Sequence, residues 1–110
     1  MVPVALSLGS SLGNRLHYLQ AAVTILSVQP GLRLLKASRV SWTPPVGGVA
    51  RAPFLNAVLR AETTLEPEAL LQCCKRTELR LGRKPARRFA ERCVDVDLLL
   101  YGELSYQSPS

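Results

Sequence analysis

The chain has 110 residues, a formal net charge of +6 at pH 7 and 47% hydrophobic residues, which suits one small domain and is too short for two cores. It contains no apolar run of membrane-spanning length, and its start, MVPVALSLGS, lacks the basic and long apolar regions of a signal peptide. These features predict a single cytoplasmic domain over residues 1–110 that does not bind membranes.

The three cysteines and the single histidine, His17, lack the spacing of a zinc site. Cys73 and Cys74 are adjacent within a helical pattern, and Cys93 lies in a predicted strand. We therefore expect reduced thiols, of which one or two fill space in the core.

The first half of the chain predicts a strand, a helix and a second strand. Val2 to Leu8 alternates apolar and small residues, and the turn GSSLGN follows. That turn resembles a phosphate loop but lacks the Lys-Ser/Thr of a Walker motif, so a plain turn is favoured. Asn14 can cap a helix that ends at QPG. The apolar stripe of this helix is predicted to be Leu16, Leu19, Val23 and Leu26.

Residues 32–40 form the second predicted strand, and Ser41 to Pro53 reads as a long loop rich in Pro and Gly. This loop is longer than a hairpin needs, and it combines rigid prolines with flexible glycines. Both features favour a binding role over a simple connection. Phe54 to Thr63 alternates cleanly and is the third strand. Residues 65–82 carry Pro67 in the first turn and Gly82 at the stop, which predicts a second helix.

Cys93 to Tyr101 is the fourth predicted strand, followed by a polar tail. The order strand, helix, strand, strand, helix, strand is typical of two split crossovers. It predicts an α+β ferredoxin-like sandwich, with a four-stranded antiparallel sheet and both helices on one face.

The whole excess of positive charge lies between Lys75 and Arg92, where eight basic and two acidic residues occur. Such a segment is either a solvated basic loop or a site for a polyanion such as nucleotide phosphates or nucleic acid. The predicted strands offer few exposed aromatics, chiefly Phe54 and Tyr101, so we expect no nucleic-acid partner.

Asp95 and Asp97 share one face of the last strand, about 6–7 Å apart along it. Two bare charges at that distance repel by about 2–2.5 kcal/mol at an effective dielectric of about 20. A face open to water would tolerate the pair; alternatively, the pair holds Mg²⁺ whose shell is completed by substrate phosphates and water. Nearby arginines and the lack of a candidate nucleophile favour transfer between phosphates. The opposite face is predicted to be core: Val94, Val96, Leu98 and Leu100.

Five segments together resemble 6-hydroxymethyl-7,8-dihydropterin pyrophosphokinase of the folate pathway, a family with a ferredoxin-like core. They are LSLGSSLGNR, TPPVGG, PFLNAV, ELRLGR and RCVDVDLLLYG, in order from Val4 to about Glu103. The resemblance implies transfer of pyrophosphate from ATP to the hydroxymethyl group of the dihydropterin, releasing AMP. It also implies that the chain stops short of the family's C-terminal elements, which follow Gly102 and include a His-Pro…Arg…Phe segment.

The resemblance also assigns roles to residues. Asp95 and Asp97 match the ligands of two Mg²⁺ ions, and with Arg83 and Arg92 they are the implied catalytic residues. The implied contacts to ATP are Glu78, Arg83, Lys84, Arg88 and Arg92. The implied pterin site consists of Thr43, Pro44, Val46, Phe54, Asn56 and Phe89.

Two functions from different classes therefore stand at this point. The first is a Mg²⁺-dependent pyrophosphokinase with ATP and dihydropterin as small-molecule partners, and an association with other folate-pathway enzymes is a further prediction. The second is a non-catalytic ferredoxin-like domain that binds nucleotide or pterin. Release of AMP with a dihydropterin substrate separates the two.

Overall fold

The computed structural model describes residues 1–11, 13–43, 54–82 and 94–105. Its elements are β1 (Val2–Ser10), α1 (Arg15–Ser27), β2 (Leu32–Ala37), β3 (Ser41–Thr43), β4 (Phe54–Thr63), α2 (Pro67–Arg80), β5 (Asp95–Tyr101) and β6 (Leu104–Ser105). The strands form one antiparallel sheet in the order β2-β4-β1-β5-β6, and β3 pairs with β4. The α+β ferredoxin-like fold predicted from the element order is confirmed.

Both helices begin where the sequence predicts. The Asn14 side chain accepts a hydrogen bond from the His17 N–H at 3.2 Å and caps α1. Pro67 stands in the first turn of α2, and Gly82 follows the helix with a φ of 98° that other residues rarely adopt. No helix in the part of the chain described here is long and apolar enough to cross a membrane.

The core lies between the two helices and one face of the sheet. Leu26 of α1 and Leu70 of α2 are fully buried together with Leu6, Leu8 and Leu98 of the sheet. Three of the four predicted residues of the α1 stripe face the core: Leu19 and Leu26 are buried, and Val23 packs against them. Ala22 is buried as well, whereas Leu16 is 47% exposed. Leu16 lies in the first turn of α1, and its spacing alone does not secure burial.

Two short strands occur where a loop and a tail were predicted. β4 is ten residues long, but β2 pairs only with Leu59–Thr63, so the other half of this edge needs a partner. β3 returns to supply it, with Trp42 opposite Leu55. At the far edge, Gly102 (φ 61°) makes the turn that brings β6 back onto β5.

The predicted core face of β5 is correct as far as Leu98 and wrong beyond it. Leu6 of β1 pairs with Leu98, but Ala5 pairs with Leu100, so Leu99 is an extra residue, a β-bulge. The bulge reverses the two faces, because side chains alternate along a strand. Leu100 is therefore 44% exposed, while Tyr101 packs on the core and donates a hydrogen bond to the Leu65 carbonyl at 2.6 Å.

Cys73 and Cys74 are buried free thiols, as expected. Burial, aided by the negative charges of Cys73, Glu78 and Asp97, raises the pKa of Cys74 from 9.0 to about 12. A thiol whose pKa is higher in the folded state stabilises the fold below pH 9.0 and loses that contribution as pH rises toward about 12. We expect Cys74 to lower the free energy of unfolding by about 1 kcal/mol between about pH 9 and pH 10.

Urea denaturation at these two pH values measures the effect, with Cys74→Ala as the comparison. The variant is expected to be less stable at both values, since it leaves a small cavity, but to lose less stability between them. An equal loss in the two proteins would contradict this origin of the alkaline sensitivity.

Candidate functional site

The sheet face opposite the helices carries a row of polar residues across adjacent strands. Gly9 of β1 pairs with Asp95 of β5 on one side and with Asn56 of β4 on the other. Ser41 of β3 continues the row, because it pairs with Asn56. Paired residues point to the same face, so Asp95 and Asn56 lie on this open face two strands apart, about 10 Å between their Cα atoms.

Gly9 lies in the middle of this row, and two side chains of β4 cover it closely. A Cβ atom built there would lie 3.1 Å from Asn56 Oδ1 and 3.5 Å from Cδ1 of Phe54. The first distance is tighter than nearly all real Cβ contacts. Because Gly9 has no Cβ atom, the Asn56 amide and the Phe54 ring can lie close against the β1 backbone, next to the strand that carries the acidic residues.

Asp95 and Asp97 point to the open face together, as the sequence predicts, since their partners on β1 are Gly9 and Ser7. Both side chains are half-buried. Among the described residues, no group of three or more His, Cys, Asp or Glu could hold a metal. Two carboxylates are nevertheless the protein ligands that Mg²⁺ commonly takes when phosphates and water complete its shell, so the pair fits a metal shared with substrate.

The predicted pterin residues that the structure describes lie at the other end of the row. Thr43 pairs with Phe54, which places the loop start beside the predicted aromatic. The Asn56 Nδ2 atom donates to the carbonyl oxygens of Phe54, at 3.2 Å, and Ser41, at 3.4 Å. These bonds hold the amide in place, with its Oδ1 toward Gly9.

Glu78 lies beneath the strand that carries the aspartates. It is 3% exposed on α2, and its Oε2 atom accepts a hydrogen bond from the backbone N–H of Val96 at 2.8 Å. The predicted contact of Glu78 with ATP stays a prediction. What the structure supplies is a contact with the residue between Asp95 and Asp97.

Several polar features near the end of β1 were not predicted. Arg15 Nη2 donates to the Ser11 carbonyl at 3.3 Å, and its guanidinium lies 5.6 Å from the ring centroid of Trp42. The hydroxyls of Ser10 and Ser11 are buried, with no hydrogen-bond partner identified in the described part of the chain. The contact between Arg15 and Trp42 joins residues distant in sequence, so no local spacing reveals it.

Most of the predicted phosphate-binding residues lie outside the described residues. The segment that carries them leaves α2 after Gly82 and rejoins the described chain at Val94, directly before Asp95. The predicted residues outside the description are Pro44, Val46, Arg83, Lys84, Arg88, Phe89 and Arg92.

Comparison with known proteins gives a family match over almost the whole chain. The family model described as 7,8-dihydro-6-hydroxymethylpterin-pyrophosphokinase (HPPK) matches residues 5–109. A 2-amino-4-hydroxy-6-hydroxymethyldihydropteridine pyrophosphokinase of Methylorubrum extorquens is 39% identical over 92% of this chain and 64% of its own length. The protein of the same name from Bacillus subtilis is 36% identical over 87% of this chain and 58% of its own.

A bifunctional relative is similar at the same level. The bifunctional protein FolKE of Lactococcus lactis is 36% identical over 93% of this chain and 29% of its own length. The chain therefore spans between 29% and 64% of the length of these relatives.

Proposed function

Because the chain belongs to the 7,8-dihydro-6-hydroxymethylpterin-pyrophosphokinase family, whose members typically use Mg-ATP and bind pterin substrates, we propose that it transfers pyrophosphate from ATP to 6-hydroxymethyl-7,8-dihydropterin. In this proposal AMP is released and the product enters folate biosynthesis. The observation that carries the proposal is the row Asp95–Gly9–Asn56 across three strands of the open face.

The row supports a site with two ends. Asn56, with its amide held by backbone carbonyls, offers an edge hydrogen bond, and Phe54 offers an apolar surface for a flat ring. Asp95 and Asp97 lie about 10 Å away at the β5 end. A pterin that packs on Phe54 and Asn56 would direct its hydroxymethyl group toward the acids, because the row runs from these residues across Gly9 to Asp95.

The reaction asks little covalent chemistry of the protein. The hydroxymethyl oxygen forms a bond to the β-phosphorus of ATP, the bond from that phosphorus to the oxygen bridging to the α-phosphate breaks, and AMP leaves with that oxygen. The alcohol proton passes to solvent or to a phosphate oxygen. The protein's task is alignment and charge neutralisation, because the attacking group is the substrate's own alcohol.

Asp95 and Asp97 are the residues that would hold Mg²⁺, which supplies neutralisation of the phosphate charge when bound. The predicted count of two ions is part of this proposal. Arg83, Lys84, Arg88 and Arg92 are proposed to bind the ATP phosphates, and their place in the sequence directly before the acids supports this.

Association with other folate-pathway enzymes stays a prediction. A domain that binds nucleotide or pterin without turnover remains the second candidate function.

We expect the purified chain to release AMP from ATP only when dihydropterin substrate and Mg²⁺ are both present. Release is followed by chromatography of the nucleotides, with reactions lacking pterin or containing EDTA as controls. AMP formation that is independent of pterin would contradict the transfer. Binding of a non-hydrolysable ATP analogue and of pterin without AMP release would support the non-catalytic alternative.

A further inference from the structure

We propose that Glu78 is a positioning residue: by binding the backbone of β5 at Val96, it fixes the strand so that Asp95 and Asp97 stand at a constant separation on the open face. The inference rests on the proposed function for the role of the two aspartates. It differs from the predicted contact with ATP, because the carboxylate acts through the backbone of β5.

The first support is where Val96 lies in the sheet. On one side β5 pairs with β1, and on the other β6 reaches only Leu100 and Tyr101. The Val96 N–H bonds to Glu78 Oε2 at 2.8 Å, so it points away from β1. Within the described residues, no strand pairs with this edge of β5 at Val96.

In an antiparallel pair, successive residues of a strand direct their backbone groups alternately toward the partner strand and away from it. Since the Val96 N–H points outward, its neighbours Asp95 and Asp97 direct their backbone groups inward, to Gly9 and Ser7 of β1. The aspartates are thus held from the β1 side and the residue between them from the α2 side. Without Glu78, the outer side of the strand would lack its bond at that point.

The second support is the burial of the Glu78 carboxylate. Glu78 is 3% exposed and is the only charged residue among the buried positions of the described chain. A buried carboxylate near two other acids is unfavourable unless hydrogen bonds compensate for it. The bond from the Val96 N–H at 2.8 Å supplies such compensation and ties the carboxylate to β5.

The first experiment needs no ligand. Amide hydrogen exchange of Val96, followed by NMR in the full chain, compares the wild type with Glu78→Ala and Glu78→Gln. Because Gln keeps an oxygen acceptor of similar reach, we expect Gln to preserve most of the protection and Ala to lose about tenfold or more of it. Unchanged protection of Val96 in Glu78→Ala would overturn the proposal.

The second experiment measures the consequence for the aspartates. Titration of a non-hydrolysable ATP analogue at several Mg²⁺ concentrations should show a higher Mg²⁺ requirement in Glu78→Ala, by about tenfold, and a near-normal one in Glu78→Gln. An equal defect in both variants would show that the charge matters rather than the bond, and would overturn the positioning role.

Thr77→Val is the matched control, because Thr77 is buried on the same helix and its hydroxyl donates to the Cys73 carbonyl at 2.9 Å, within α2. Thr77→Val should lower the free energy of unfolding and leave the Mg²⁺ requirement unchanged. A raised Mg²⁺ requirement in this variant would mean that any loss of stability has the same effect, and it would overturn the proposal. If the wild type itself fails to bind Mg²⁺ with the analogue, the proposed function fails, while the exchange of Val96 still decides whether Glu78 fixes the strand.

Discussion

Replacing either Asp95 or Asp97 with asparagine is expected to lower the rate of AMP release by about 10²–10³-fold, the size of effect seen when a group that stabilises developing charge is removed. The fold should not suffer. The two side chains are half-buried on one face of β5, and asparagine matches aspartate closely in size and shape. The activity therefore falls while the melting temperature changes little.

Glu62→Gln is the matched control for this experiment. Glu62 lies on the same open face at the other end of β4, where its Oε1 atom is 3.8 Å from Arg33 Nη1. Because surface ion pairs contribute little to stability, Glu62→Gln should change the free energy of unfolding by no more than about 1 kcal/mol. The rate of AMP release should stay at the wild-type level. Turnover and Mg²⁺ requirement at wild-type level in Asp97→Asn would refute the role of the acidic pair.

Gly9→Val is expected to weaken pterin binding by about 10²-fold, because a misplacement of about 1 Å in a site is enough for such a loss. The new Cβ atom would lie 3.1 Å from Asn56 Oδ1, and the branched side chain would occupy the centre of the row. Gly9 does not adopt a positive φ, so the backbone accepts valine, and the substitution acts by displacing Asn56 and filling the centre of the row. Calorimetric titration with a dihydropterin analogue measures the affinity.

Ala5→Val supplies the comparison, since Ala5 lies on the same strand and face but pairs with Arg60 and Leu100, away from the row. It should bind pterin as the wild type does. If Gly9→Val binds the dihydropterin analogue as tightly as Ala5→Val does, the pterin does not lie over Gly9.

The sequence predicts those parts of the fold that depend on local patterns. The cap at Asn14 and the alternation of β4 follow from adjacent residues, and the structure confirms both. β3 and the bulge at Leu99 were missed, because each depends on what the neighbouring strand offers. A pattern of period two cannot show where an extra residue is inserted.

The candidate site divides in the same way. Asp95 and Asp97 are visible as acids on one strand face, and the resemblance adds Asn56 and Phe54. That Gly9 lies between them depends on the register of three strands, which no single segment encodes. The bond between Glu78 and Val96 is equally invisible, because it joins a helix to a strand edge across the core.

The bulge at Leu99 divides β5 into two segments that can evolve separately. Before the bulge, Val96 pairs with Leu8 of β1, and the two aspartates lie on the open face. After the bulge, Leu100 pairs with Ala5, and Tyr101 packs against the core. Substitutions or length changes near the hairpin at Gly102 can therefore be absorbed at Leu99 without rotating Asp95 and Asp97 away from the open face. The orientation of Asp95 and Asp97 therefore does not depend on the length of the chain at the other end of β5.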